Sequence, residues 1–293
     1  MHLIIQYYND KNPERQKEYD FCLEKNLNNP AIKKIHNIIE TETIVPEKFK
    51  NHKKLLTIPI DYAKASSNIA GRLTFKYVFD YARNNIPENE VVGTLNLDIF
   101  LEHSKDWCDV KKDFFAKNNK NVLCLSRHEY YWNALYKMEK VQWGGASADA
   151  WIFLNPLHII KDCKFTVGNA PGCDGAIGRR FYNAGYNVFN WATKYKIFHV
   201  DICRGHSNGI MICTDKTDPE GMLACKRGGL EVPPNQDWDN ILKNKQEIIY
   251  LYVGGNDIDP RLRARRRNNV YPTLRSPLKH RMTDIIKIKR IKK

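Results

Sequence analysis

The stretch "ENEVVGTLNLDIFLEHS", residues 88–104, decides the fold of this sequence. A mostly apolar run over 91–97 is followed by one acid, Asp98, and then by the apolar residues Ile99 and Phe100. This pattern predicts a strand over residues 90–100 that is buried on both faces. Charged side chains are seldom buried unless they are paired or bind a metal, so Asp98 needs either a cationic side chain or a cation as its partner.

Short apolar strands and amphipathic helices alternate around this stretch. The pattern predicts strands at 2–8, 34–40, 54–60, 121–131, within 143–156, near 188, at 196–207 and at 247–253, and helices at 13–30, 74–85, 109–119 and from about Asp174. Pro59 favours an edge position for the third strand. The alternation predicts an α/β fold with a mainly parallel sheet flanked by helices.

The positive charge of the chain is concentrated in its last residues. Thirteen of the 47 Lys and Arg residues, but only one of the 33 Asp and Glu residues, lie in 261–293. The remaining body is therefore almost neutral, which favours a globular protein with a cationic extension over a basic nucleic-acid-binding fold. We predict one catalytic domain over 1–256, with halves 1–130 and 131–256, and a basic C-terminal extension over 257–293.

The spacing of the cysteines and the hydropathy of the chain indicate its cellular compartment. None of the eight cysteines forms a C-x-x-C pair, which argues against a structural zinc site and favours free thiols in a reducing compartment. No run of about 18 apolar residues occurs, so no membrane-spanning helix is expected, and the first residues lack the pattern of a signal peptide. These features predict a cytoplasmic protein.

Polar side chains follow several of the predicted strands. Gln6 and Tyr7 come at the end of the first strand, Asp98 at the end of the central strand, and Arg127 and His128 after the next. Ligands of open α/β sheets bind beyond the carboxyl ends of the strands. We therefore expect a ligand site at this edge of the sheet.

The order of these features resembles the nucleotide-sugar glycosyltransferases of the GT-A fold. The string "LSRHEY…SADAWIF…VGNAPGCDGAIGRRFYNAGYNVFN", between residues 124 and 190, is similar to a group of glycosyltransferases from bacteria and large DNA viruses. The resemblance covers roughly residues 1–210. It implies a GT-A-like, Rossmann-type mixed sheet and transfer of a sugar from a nucleoside diphosphate.

The resemblance also implies a metal site. Asn96-Leu97-Asp98 stands where the family has an Asp-x-Asp motif, so Asp98 would hold Mn²⁺ or Mg²⁺ and, with Asn96, the diphosphate of the donor. His199 or His206 stands where similar enzymes place a late metal ligand. Asn96 departs from the family pattern, because an amide cannot supply the charge of the first aspartate.

Two acids are candidates for the general base that deprotonates the acceptor hydroxyl. Asp174 begins a predicted helix, where an N-cap carboxylate has a lowered pKa and is a poor base. Asp149 lies among small residues and Trp151, where weaker solvation would raise its pKa. Either acid would alternatively bind sugar hydroxyls. Because two acids are available and no nucleophile is evident, we expect inversion at the anomeric carbon.

The remaining candidates would contact the donor. Arg127 suits phosphate or sugar hydroxyls, or pairs with Asp98 or Asp149. Arg72 would reach the phosphates, or is a solvated residue at a helix start. Tyr7 would stack on uracil while Gln6 reads its edge, or Tyr7 is an ordinary core residue.

These features favour a glycosyltransferase that takes a UDP-sugar and a hydroxyl acceptor on a glycan, protein or lipid. One alternative is a polyanion-binding protein that acts through its basic tail, on nucleic acid or on an anionic membrane surface. The tail contains few aromatic residues, so no specific nucleic-acid partner is expected. The other alternative is a metal-dependent nucleotidyltransferase, which normally needs two or three clustered carboxylates.

Overall fold

The structure is a computed structural model that describes residues 1–60, 72–131, 134–135, 148–168 and 173–201 and the two-residue strands 251–252, 273–274 and 285–286. In chain order its strands are β1 (His2–Ile5), β2 (Lys34–Glu40), β3 (Leu55–Ile60), β4 (Val91–Leu95), β5 (Ile99–Leu101), β6 (Asn121–Leu125), β7 (His128–Tyr131), β8 (Ala134–Leu135), β9 (Ala150–Leu154), β10 (Asn187–Phe189), β11 (Ile197–His199), β12 (Leu251–Tyr252), β13 (Thr273–Leu274) and β14 (Ile285–Ile286). The helices are α1 (Pro13–Leu27), α2 (Glu47–Lys50), α3 (Phe75–Asn85), α4 (Lys105–Asp113) and α5 (Cys173–Asn183).

Within the described residues, seven strands form a mixed, mainly parallel sheet in the order β10-β6-β9-β4-β1-β2-β3. Strand β9 is antiparallel to both of its neighbours, whereas the other pairings are parallel. The carboxyl ends of β4 and β6 therefore lie at the same edge as the amino end of β9. The residue before β9, Asp149, consequently lies between the residues that follow β4 and β6.

Helices pack on both faces of this sheet, which confirms the predicted α/β class. Side chains of α3 and α5 cover one face, and side chains of α1 and α4 cover the other. Trp151 and Ile152, which are neighbours on β9, point into these two opposite cores. Asn12 caps α1 by accepting the backbone N–H of Glu14, and Thr74 caps α3 in the same way through Tyr77.

The structure corrects two predicted strands and one predicted helix. The predicted strand 90–100 is β4 and β5, because the backbone turns at Asn96, whose carbonyl accepts the N–H of Ile99. Strand β5 then joins a second sheet in the order β5-β11-β7-β8. The predicted strand 121–131 is likewise divided into β6 and β7, and the helix predicted at 109–119 begins at Lys105.

Several other predicted elements are confirmed with small changes at their ends, whereas large parts of the strands predicted at 196–207 and 247–253 lie outside the described residues. Strand β2 covers the predicted 34–40, and β3 lies at the edge of the sheet, as Pro59 indicated. Strands β12, β14 and β13 form a small third sheet in that order. No helix among the described residues is long and apolar enough to cross a membrane. The domain boundary at 256 stays a prediction.

Candidate functional site

Three predicted site residues meet at the edge of the sheet where β4 and β6 end. The carboxylate Oδ1 of Asp149 accepts a hydrogen bond from Arg127 Nη1 at 3.0 Å and another from Asn96 Nδ2 at 3.2 Å. Asn96 follows β4, Arg127 follows β6, and Asp149 precedes β9. The Asp149 side chain is only 4% exposed, so the Arg127 guanidinium compensates a buried charge.

Backbone hydrogen bonds fix this arrangement. The N–H of Asp149 donates to the carbonyl of Leu125 at 2.9 Å, and the N–H of Asn96 donates to the carbonyl of Asp149 at 3.2 Å. These bonds continue the pairing of β9 with both neighbours by one residue beyond the strands. The position of the Asp149 side chain is therefore set by the sheet and not by a loop, which favours a precisely oriented site.

The second oxygen of Asp149 has no hydrogen-bond partner among the residues that the structure describes. This Oδ2 atom is buried. A buried carboxylate oxygen without a donor is unfavourable by about 1–3 kcal/mol or more. A hydroxyl or an amide N–H placed against Oδ2 would remove that cost.

Asp174 is the second residue of α5, and its Oδ1 lies 3.2 Å from the thiol Sγ of Cys173, which donates to it. Burial, and after it the negative charge of Asp149, raise the pKa of Asp174 to about 7, outweighing the opposing effects of Cys173 and Arg127. The charge of Asp174 also adds to burial in raising the pKa of the Cys124 thiol on β6. Asp174 therefore faces the sheet beside Asp149.

This placement excludes one of the two interpretations of Asp174. An N-cap acid would have a lowered pKa, whereas Asp174 lies inside the first turn of α5 and has a raised pKa. Burial and the neighbouring carboxylate outweigh the stabilisation that a helix start gives to an anion. The two acids therefore differ in their surroundings: Asp149 is ion-paired with Arg127, while the pKa of Asp174 is raised to about 7.

Asp98 belongs to a different cluster. Its Oδ2 accepts a hydrogen bond from the guanidinium of Arg15, on α1, and lies 3.2 Å from Nε2 of His199. Arg15 also donates to the carboxylate of Glu18 at 2.6 Å and lies 3.4 Å from that of Asp201. The acid in the opening stretch therefore has an arginine as its partner.

The residues that the structure describes do not make up a divalent-cation site around Asp98. His199 adjoins Asp98 as predicted, but the Arg15 guanidinium binds the same carboxylate oxygen, where a cation would be repelled. In the described part of the chain no group of three His, Cys, Asp or Glu residues could hold a metal ion. His206 lies outside the described residues, and a requirement for Mn²⁺ or Mg²⁺ stays a prediction.

The residues after β1 divide into a buried and a half-buried set. Tyr7 is 0% exposed, and its hydroxyl bonds with Asp20 and Gln16. A ring without exposed surface cannot stack on a nucleobase, which corrects the predicted role of Tyr7. The adjacent Tyr8 is half-buried, and the Arg72 guanidinium lies over its ring at 4.6 Å.

Sequence reasoning missed Tyr8 and Arg15. The two tyrosines are adjacent and alike, and only the end of β1 at Ile5 decides which one points inwards. Gln6 is held in place because its Oε1 accepts the backbone N–H of Leu73 at 2.8 Å. Of the predicted residues, the structure therefore groups Asn96, Arg127, Asp149 and Asp174, and separately Asp98 with His199.

Comparisons with known proteins find similar solved structures. No protein-family model and no curated protein matches the chain. Solved structures of S. aureus TarS residues 1–349, in complex with UDP-GlcNAc and with UDP, are similar at 12% identity with TM-scores of 0.42 and 0.44. They match 68% of this chain, which spans only 58% and 60% of those chains.

Proposed function

We propose that this protein is a glycosyltransferase that moves a sugar from a nucleoside diphosphate, with UDP as the expected nucleotide, to a hydroxyl acceptor. The observation that carries the proposal is the pair of carboxylates, Asp149 and Asp174, at the carboxyl edge of a mixed α/β sheet. Arg127 and Asn96 hold one of them in place, and the other has a pKa near neutrality.

The reaction requires one base and one leaving group. The acceptor oxygen forms a bond to the anomeric carbon, the bond from that carbon to the diphosphate oxygen breaks, and the hydroxyl proton passes to the base. Asp174 suits the base, because a carboxylate with a pKa of about 7 holds a proton more strongly than an ordinary one and is still ionised above neutrality. A single displacement of this kind inverts the anomeric carbon.

Asp149 suits a binding function. Its Oδ1 is already bonded to Arg127 and Asn96, and its buried Oδ2 is the atom that lacks a donor among the described residues. A sugar hydroxyl would supply that donor. Such a site rejects ligands that lack the hydroxyl, because the buried oxygen is then left unpaired.

Positive charge for the departing diphosphate would come from arginine side chains. Arg72 lies at the end of β1 over the ring of Tyr8, and Arg127 is 22% exposed beside Asp149. A guanidinium binds phosphate oxygens with two parallel hydrogen bonds. A divalent cation at Asp98 would need Arg15 to leave that carboxylate, so no step is assigned to it.

The acceptor and a membrane surface for the basic tail remain proposals.

The test is a thermal-shift panel of UDP-, GDP- and CMP-sugars, each with and without Mn²⁺. A donor at about 100 times its Kd should stabilise the folded protein by about 2.7 kcal/mol. Asp149→Asn, which keeps the shape of the side chain but removes its negative charge, should abolish this thermal shift. Asp80→Asn, at an exposed acid on α3, should retain it and serves as the control. Absence of a shift with every nucleotide sugar would contradict the proposal.

A further inference from the structure

Gly168 makes an unusually close approach to one of the site residues. Its φ is +71°, a conformation that side-chain-bearing residues rarely adopt. A Cβ atom added to Gly168 would lie 2.2 Å from Oδ1, 2.9 Å from Cγ and 3.2 Å from Nδ2 of Asn96. All three nearest atoms belong to the amide that donates to Asp149.

The backbone on the Gly168 side of this contact is held in place. The N–H of the preceding residue, Val167, donates to the carbonyl of Leu73 at 2.9 Å, and Thr166 forms an antiparallel bridge with Thr74. Leu73 in turn donates its N–H to Gln6 at the end of β1. The backbone at 168 therefore cannot easily retreat from Asn96.

The Asn96 side chain is the part of this contact that can move. Its backbone is fixed by the hydrogen bond to the carbonyl of Asp149, but the amide is the end of a rotatable side chain. A methyl group at residue 168 would therefore turn the amide aside instead of unfolding the protein. The hydrogen bond from Asn96 Nδ2 to Asp149 Oδ1 would then be lost.

We propose that Gly168 is a positioning residue, whose missing side chain lets the Asn96 amide lie where it orients the Asp149 carboxylate for the ligand. The proposal rests on the proposed function of this site. Gly168 itself does not bind the ligand. It acts through Asn96, so its effect should disappear when the Asn96 amide is absent.

Gly185 provides a matched control. Its φ is +84°, and an added Cβ would meet nothing within 4 Å. Gly168→Ala and Gly185→Ala therefore impose similar backbone strain, but only the methyl group added at residue 168 meets a site residue, Asn96. We expect Gly168→Ala to weaken binding of the donor by about tenfold, the effect of one lost hydrogen bond, and Gly185→Ala to leave it unchanged.

The pH profile separates positioning from general destabilisation. Asp149 and Asp174 interact with each other and with Arg127, and the thiols of Cys124 and Cys173 lie beside Asp174. Without the Asn96 donor, less of the negative charge of Asp149 is neutralised, so the pKa of Asp174 should rise further. The pH at which activity falls to half of its maximum on the acid side should be higher in Gly168→Ala and in Asn96→Ala. It should not change in Gly185→Ala.

A ligand-free measurement keeps this inference separate from the proposed function. The side-chain amide resonances of Asn96, identified by their loss in Asn96→Ala, should shift in Gly168→Ala and stay in place in Gly185→Ala. In the Asn96→Ala background, Gly168→Ala should cost no more stability than Gly185→Ala does. Unchanged Asn96 amide resonances in Gly168→Ala would overturn the inference. A loss of stability from Gly168→Ala that stays as large in the Asn96→Ala background, or a double variant that fails to fold, would also overturn it. Failure of wild-type protein to bind any nucleotide sugar would count against the proposed function only.

Discussion

Asp174, on α5, lies close enough to Asp149, ahead of β9, for the charge on Asp149 to reinforce burial in raising the pKa of Asp174 to about 7. Arg127 donates to Asp149 at 3.0 Å and supplies its counter-charge. Two carboxylates with different environments can divide binding and proton transfer between them.

The raised pKa of Asp174 predicts a stability that depends on pH. The unfolded carboxyl has a pKa near 3.8, so between about pH 4 and 7 the folded protein binds more protons than the unfolded chain. The free energy of unfolding should therefore fall as pH rises through this window, by up to about 1.4 kcal/mol per pH unit from this group. Asp174→Asn should flatten that slope in urea unfolding.

The same variant should lose transfer activity, because an amide cannot accept the hydroxyl proton. A general base contributes about 10²–10⁴-fold to a rate, so kcat should fall by that order. Asp80→Asn, at an exposed acid, should leave both the pH slope and the rate unchanged. Unaltered activity of Asp174→Asn would show that another residue is the general base.

Arg127 is predicted to stabilise the fold through Asp149. Arg127→Gln leaves a carboxylate that is 4% exposed without its counter-charge, and should lower the free energy of unfolding by about 1–3 kcal/mol. Asp149→Asn in the same chain should recover part of this loss, because the buried charge is then absent. Lys50→Gln, which removes an exposed pair with Glu47, should change stability by less than about 0.5 kcal/mol. Denaturant unfolding of wild type, Arg127→Gln, Asp149→Asn and the double variant measures the coupling between the two residues.

Arg15 is predicted to matter more for stability than for metal binding. Its side chain is 4% exposed and contacts the carboxylates of Glu18, Asp98 and Asp201. Arg15→Met should destabilise the protein by about 3–5 kcal/mol, because three acids lose one shared cation. Lys17→Met, at an exposed position of the same helix, should have little effect. An Arg15→Met variant as stable as wild type would show that the cluster is not an ion-pair network.

The sequence predicts the local elements better than the contacts of the site. Strand β2 matches the predicted 34–40 because its apolar pattern is local. The sequence contains no signal for the direction of β9, yet that direction places Asp149 between Asn96 and Arg127. A mixed sheet was expected, but which strand is reversed depends on long-range pairing.

Two side chains show the same limit. The partner of Asp98 is Arg15, which lies 83 residues earlier on a helix, so no spacing rule connects them. A place at a helix start allows an N-cap carboxylate with a lowered pKa, and only the packing of α5 against the sheet reveals that the pKa of Asp174 is raised. Residue types at strand ends were informative, whereas their partners depend on the folded chain.

The adjacent tyrosines after β1 provide a final prediction. Tyr7→Phe removes a buried hydroxyl that bonds with Asp20 and Gln16, and should cost about 1 kcal/mol of stability without changing donor affinity. Tyr8→Ala removes the half-buried ring that supports the Arg72 guanidinium and contacts Tyr19, and should weaken donor binding. Calorimetric titration of a UDP-sugar into both variants measures the difference. Weaker binding by Tyr7→Phe than by Tyr8→Ala would place the donor on the other side of β1 and contradict the assignment of Arg72.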